Sequence, residues 1–206
     1  MNWYRKAADQ GLADAQYDLG TMYANGRGVI KNDGEAVNWY QKAADQGLAD
    51  AQYILGYMYV AGLGIPRNEA EAMNWFQKAA NQEFAEAQYI LGIAYENGDN
   101  VPKDEAEAFN WFRKAAYQGH AESQRNLGNM YLNGRGVKKN DAEARDWYRK
   151  AADQGHAEAQ YILGIMHEIG IGGQQNEVEA MNWYRKAADQ GLESAKESLD
   201  ILLRKQ

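Results

Sequence analysis

The six tryptophans of this chain, Trp3, Trp39, Trp75, Trp111, Trp147 and Trp183, fall 36 residues apart without a slip. A fixed period of this size marks stacked supersecondary units, each too small to bury its own apolar face, rather than one globular core. The surrounding stretch, Trp39-Tyr40-Gln41-Lys42-Ala43-Ala44-Asp45-Gln46-Gly47 in its second occurrence, returns with small changes along the whole chain. Glycine is abundant at 21, yet only Gly34 and Gly173 lie off the repeat-fixed positions. Its abundance reflects geometry, not low complexity.

Each unit reads as a helical hairpin. From Ala13 to Ala24, Ala15, Gln16, Leu19, Gly20 and Tyr23 share one face with Leu12 at 100° per residue. Asn25-Gly26-Arg27-Gly28 ends this first helix, and the Gly28 position holds only Gly or Asn (Gly64, Asn100, Gly136, Gly172), as a left-handed residue beyond a helix end requires. Pro66 and Pro102 follow where a helix cannot continue. The second helix opens at Asn32-x-x-Glu35, repeated as Asn68/Glu71, Asp104/Glu107, Asn140/Glu143 and Asn176/Glu179, which predicts reciprocal capping. Gly20 and its counterparts Gly56, Gly92, Gly128 and Gly164 predict a close approach to the Ala-Ala pair of a neighbouring helix, with tryptophan filling the gap between hairpins.

The period predicts an all-α chain of twelve helices: a half repeat over 1–11, full hairpins over 12–47, 48–83, 84–119, 120–155 and 156–191, and a C-terminal cap over 192–206. Lys196, Glu197 and Asp200 replace the usual Gln, Tyr and Gly in that cap, as a solvent-facing end needs. The first helix has no hairpin partner, so the side around Trp3 and Ala7 is expected to be open, with a trimmed start and self-association through that end.

Composition removes several function classes. Without cysteine there are no disulfides, zinc knots or thiol nucleophiles. A formal charge of −7 opposes general nucleic-acid binding, which needs a basic face. No apolar run approaches the ~18 residues of a membrane span, and Met1 leads straight into the repeat without a secretory signal. The compartment stays open: cytoplasmic, or periplasmic or secreted if an upstream signal was removed.

Ala-x-x-x-Leu-Gly-x-x-Tyr, then Gly-x-Gly-Val, then Ala-x-x-Trp-Tyr-x-Lys-Ala-Ala-x-x-Gly resemble the Sel-one-like repeat family, a branch of the tetratricopeptide-type arrays; Ala15 to Gly47 is the best copy. The resemblance covers the chain. It implies a right-handed superhelix whose first helices line the concave side, and adaptor or scaffold work on protein complexes, as in bacterial members. Some members carry paired cysteines in every repeat and are associated with penicillin-directed activity, so a cell-wall or β-lactam-directed hydrolase is the alternative; this chain has none of those cysteines. A self-assembling spacer is a second alternative. Two departures stand out. Glu83 occupies the position of Gly47, Gly119, Gly155 and Gly191, so that turn is expected to be strained or differently built. The loop from Ile169 to Gln175 lacks the apolar anchor supplied elsewhere by Val29, Ile65, Val101 and Val137, and is expected to be the most mobile.

No catalytic, cofactor or metal site is read from the residues. His120 and His156 share one repeat position and His167 replaces a core tyrosine; none has metal-ligand spacing. Asn-Gly-Arg-Gly loops follow helix ends rather than strands, so they are helix stops, not phosphate loops. Asp14, Asp50, Glu86, Glu122 and Glu158 begin successive first helices; they complement the helix dipole and also suit an acidic margin that attracts basic peptides. Beside this fixed framework, one face of the first helices varies. The expected partner-binding residues on it are Tyr17, Tyr53, Tyr57, Tyr89, Ile93, Arg125, Asn129, Tyr161 and Ile165. The tyrosines suit core packing and binding equally; Tyr57, Arg125 and Asn129 are expected to be the exposed ones. The partner is a protein or peptide, with no nucleic acid and no membrane span.

Overall fold

The computed structural model describes residues 2–204; Met1 of the expected half repeat and Lys205 and Gln206 of the expected cap lie outside the described residues. Among the described residues there are twelve helices and no strand. They divide into two compact units, Met1–Lys103 and Asp104–Gln206. The first holds α1 (Asn2–Asp9), α2 (Ala13–Asn25), α3 (Asp33–Asp45), α4 (Ala49–Ala61), α5 (Glu69–Asn81) and α6 (Ala85–Asn97). The second holds α7 (Glu105–Tyr117), α8 (Ala121–Asn133), α9 (Asp141–Asp153), α10 (Ala157–Ile169), α11 (Glu177–Asp189) and α12 (Glu193–Arg204). Within the units α2 packs on α3, α4 on α5, α8 on α9 and α10 on α11, the hairpins that the 36-residue period predicts.

Each second helix starts on a polar cap, but only half of the reciprocal arrangement forms. The Asn32 side chain accepts from the Glu35 N–H, Asn68 from Glu71, and Asp104 from both Ala106 and Glu107. The cap's own N–H turns back to the first helix instead: Asn32 N–H donates to Tyr23 O, Asn68 to Tyr59 O, Asn140 to Tyr131 O and Asn176 to His167 O. A carbonyl near the C-terminal end of a helix lacks an intrahelical donor, so one bond satisfies both helix ends and closes the hairpin.

The helix-interior glycines face a different partner from the one expected. A Cβ on Gly20 would stand 2.8 Å from Tyr40 Cδ1, on Gly56 2.7 Å from Phe76 Cε1, and on Gly164 2.6 Å from Tyr184 Cδ1. The aromatic ring after each tryptophan, not the Ala-Ala pair, presses on the glycine backbone. Fully burying such a ring is worth about 1.5–3 kcal/mol, more than the roughly 1 kcal/mol that glycine costs in a helix. The tryptophans do fill the gap between repeats. Trp39 clusters with Ala8, Ala15 and Leu19, Trp75 with Tyr40, Ala44 and Leu55, and Trp183 with Tyr148, Ala152 and Leu163. A lysine three residues on covers the ring face, with Nζ 3.8 Å from the Trp39 centroid and 3.5 Å from that of Trp75. Trp3, in contrast, is 82% exposed, beside a cleft of about 400 Å3 that Tyr4, Ala7 and Leu12 also line.

A buried glutamine on each first helix ties repeats together. Gln52 Nε2 donates to Ala44 O at 3.0 Å, across to the preceding second helix, while Gln52 Oε1 accepts from Gln82 Nε2 at 2.7 Å. Gln16, Gln124 and Gln160 repeat both bonds with Ala8 and Gln46, Ala116 and Gln154, and Ala152 and Gln190. The sequence placed Gln16 on the inward face without revealing this ladder.

The loops separate two kinds of glycine. Gly47, Gly119, Gly155 and Gly191 have φ near 90° with open space where a Cβ would go. Glu83 takes the same role at φ 64°, and its turn has the ordinary bonds, Glu83 N–H to Ala80 O and Phe84 N–H to Ala79 O. The turn is therefore strained but not differently built. Gly64 also needs positive φ, and its Cβ would stand 2.3 Å from Asp33 O; Gly136 and Gly172 meet Glu105 and Asp141 the same way. In the last loop Ile171 packs on the core cluster of α9 and α10, supplying an apolar anchor from a position two residues earlier than in the other loops. Glu83→Gly is expected to raise the urea midpoint by an amount equivalent to about 1 kcal/mol. Gly47→Ala should lower it by a similar amount and Gly64→Ala by more, since backbone must move as well; equal losses would contradict the seating of that loop on α3.

Candidate functional site

The first helix of every hairpin presents four variable positions, and their side chains are set by the aromatic ring behind them. Where that ring is tyrosine, its hydroxyl reaches a polar group on the first helix. Tyr40 OH donates to Thr21 Oγ1 at 3.1 Å, Tyr184 OH to Glu168 Oε2 at 2.7 Å, and Tyr148 OH to Asn129 Oδ1. Where it is Phe76 no hydroxyl is present, and the corresponding first-helix residue is Tyr57, which turns to solvent. The choice of Tyr or Phe thus decides which variable residues are tethered inward.

In the first unit Tyr17 and Tyr53 are half-buried, with ring centroids 5.6 Å from Tyr40 and 5.9 Å from Phe76; Tyr53 also lies 5.0 Å from Phe84 of the next repeat. Burial raises the hydroxyl pKa of both above the usual tyrosine value. Tyr89 and Ile93 are half-buried. Tyr57 is 53% exposed, and Val60 and Leu63, three and six residues on, are each 40% exposed. Ile93 lines a cleft with Val60, so α4 and α6 bring these two together.

In the second unit the expected exposure of Arg125 and Asn129 is not found; both are half-buried. Arg125 Nε lies 3.7 Å from Glu158 Oε2, at the start of the next first helix, and Asn129 is held by Tyr148. Their polarity serves packing between helices, which sequence spacing cannot distinguish from display on a groove. Tyr161 and Ile165 pack against a cluster of Ala180, Met181, Tyr184 and Leu202.

The histidines have structural partners. His120 and His156 cap α8 and α10, each Nδ1 accepting from a backbone N–H, of Ser123 at 3.2 Å and of Ala159 at 3.3 Å. His120 Nδ1 also stands 3.0 Å from Ser123 Oγ, but Ser123 is fully buried and closed to a substrate. Buried His167 lies against the guanidinium groups of Arg145 and Arg149; burial first, then these two charges, lower its pKa and keep the ring neutral. Among the described residues no group of three or more His, Asp and Glu side chains could hold a metal ion, and no helix is long and apolar enough to cross a membrane. The acids Asp14, Asp50, Glu86, Glu122 and Glu158 are exposed in the first turns of α2, α4, α6, α8 and α10.

A sequence model of the Sel1 repeat matches residues 1–12, 13–48, 49–84, 85–120, 121–156 and 157–192. No curated protein matches the chain. Among solved structures it is similar to c5321, a protective antigen of uropathogenic Escherichia coli strains displaying an SLR fold, at 41% identity and a TM-score of 0.95. That likeness covers 100% of this chain and 44% of the other, so the chain spans less than half the length of the E. coli protein. It is also similar to a Sel1 repeat protein from Oxalobacter formigenes, at 37% identity and a TM-score of 0.82 over 92% of this chain and 76% of that one. Cysteine-rich protein B of Helicobacter pylori is 26% identical, with a TM-score of 0.50 over 62% of this chain and 96% of its own.

Burial pushes the Tyr148 hydroxyl up to about 12, against the opposing pull of Arg125 and Arg135. The folded state therefore resists an ionisation that the unfolded chain undergoes near 10. Stability from this group is full below pH 10 and is lost as pH rises through about 12. In an ultraviolet titration Tyr148→Phe should remove one late-ionising tyrosine and flatten that alkaline loss; an unchanged titration would contradict the burial of the hydroxyl.

Proposed function

The chain belongs to the Sel1 repeat family, and from that premise we propose that it is a non-catalytic adaptor whose first helices hold a protein or peptide partner. Proteins built of Sel1 repeats generally serve as scaffolds for protein interaction. The observation that carries the reading for this chain is the apolar strip Tyr57, Val60 and Leu63, exposed along α4 and the loop after it. Exposed apolar residues grouped on one face are the usual mark of a docking surface. Tyr17, Tyr53, Tyr89 and Ile93 in the first unit are half-buried supports that leave an edge in reach of a partner, as are Tyr161 and Ile165 in the second. Arg125 and Asn129 contribute by holding their helices in place.

The test is affinity capture from a bacterial lysate, comparing the wild type with Tyr57→Ala/Val60→Ala at matched thermal stability. A partner retained by the wild type and lost by the variant is expected. Equal capture by both would overturn the assignment of this strip.

A further inference from the structure

One first-helix position breaks its own repeat beside a cleft that is larger than its counterpart in the first hairpin. Met22, Met58, Met130 and Met166 occupy it in four hairpins, and Leu202 does so in α12, but in α6 it is Ala94. The methionines are core side chains: Met58, Met130 and Met166 are at most 4% exposed. In the first hairpin the Met22 Cε lies 3.6 Å from where a Cβ on the loop residue Gly28 would stand, so the thioether takes up part of the space under its loop. Ala94 lacks those atoms, and the residue at the Gly28 position is Asn100, whose Nδ2 donates outward to Glu69 Oε2 at 3.2 Å. The cleft beside Ala94 has about 470 Å3, against about 390 Å3 for the corresponding cleft beside Met22. Its apolar wall is Val60, Met73, Phe76, Ile90, Ile93 and Ala94. Phe76 adds no hydroxyl to that wall, unlike Tyr4, Tyr40, Tyr148 and Tyr184 at the same repeat position.

The rim has a sign. Glu69, Asp99 and Asn100 edge the cleft. Glu69 pairs with Arg67, and Asp99 Oδ2 accepts from Asn97 Nδ2 at 3.0 Å, bonds that orient the carboxylates without neutralising Asp99. Across residues 1–103 there are thirteen Asp and Glu against eight Lys and Arg, so the surrounding field is negative as well. A pocket of this size, apolar in its wall and acidic at one edge, suits a large apolar side chain with a cation beside it.

We propose that this cleft is the anchor site of the bound partner, and that it takes a leucine- or phenylalanine-sized side chain from a peptide segment carrying a lysine or arginine next to it. The proposal deepens the adaptor reading and rests on it. Val60 belongs both to the exposed strip on α4 and to the cleft wall, so a peptide lying on the strip enters the pocket directly. Ala94 and Asp99 are then the specificity-determining residues, one giving room and the other charge.

The experiment is selection of random nonapeptides displayed on phage against the wild type, Ala94→Met and Asp99→Lys, followed by fluorescence-anisotropy titration of the winning peptide. Ala94→Met restores the side chain that the other repeats carry and fills a space, so its melting temperature should be equal or higher; Asp99→Lys changes an exposed loop residue and leaves the core intact. The expected consensus is an aromatic or large aliphatic residue beside Lys or Arg. Its affinity should fall at least tenfold in Ala94→Met, and Asp99→Lys should remove the preference for the basic residue. Enrichment of the same consensus by Ala94→Met would overturn the proposal, as would a consensus without a basic residue. If that peptide is still lost in Tyr57→Ala/Val60→Ala, the adaptor reading survives the failure. No enrichment by the wild type overturns the anchor site, and lysate capture then decides the adaptor reading separately.

Discussion

Each hairpin depends on an aromatic ring lying directly on the backbone of a helix. Tyr40, Phe76, Tyr148 and Tyr184 approach the glycine of the facing helix so closely that a single added carbon would collide with the ring. The contact fixes the distance between the paired helices and their register, because only one residue in each first helix leaves room. The next residue back is the tryptophan, which points to the neighbouring repeat, as Trp39, Trp75 and Trp183 do within their units. Two adjacent aromatic residues therefore perform the two packing tasks of a solenoid, one within the hairpin and one between hairpins.

Polar bonds are added at the places this packing leaves unsatisfied. Helix ends expose carbonyls and amides, and the glutamine ladder together with the turned-back N–H of each Asn cap supplies their partners across helices. Because the first-helix glutamines Gln16, Gln52, Gln124 and Gln160 are buried, removing a partner strands their amides at a cost of about 1–3 kcal/mol. The repeats are consequently joined by a few directional bonds as well as by apolar area, which resists sliding of one hairpin along the next.

Variation of the first helices has two sources that look alike in a sequence. Thr21 and Asn129 vary because a tyrosine hydroxyl behind them needs an acceptor, and Arg125 because Glu158 stands nearby. Tyr57 and Val60 vary and are exposed. Phe76 of one hairpin meets Ala94 and Asn100 of the next at a cleft of about 470 Å3, against about 390 Å3 for the corresponding cleft beside Met22.

The 36-residue period determined the helix pairs, their boundaries to within a residue or two, the left-handed turn positions and the role of the tryptophans, because each of these follows from spacing along one chain. Glu83 could be singled out for the same reason, as the odd residue in a series of glycines. The period did not determine what each glycine faces, since the ring on Gly20 comes from 20 residues later and only the helix crossing brings it there. Nor did it separate Arg125 and Asn129 from Tyr57: all three occupy equivalent faces, and burial depends on the size of neighbours contributed by other helices. The cleft at Ala94 was not read from the period, because its acidic rim and apolar wall exist only where α4, α5, α6 and the loop after α6 meet.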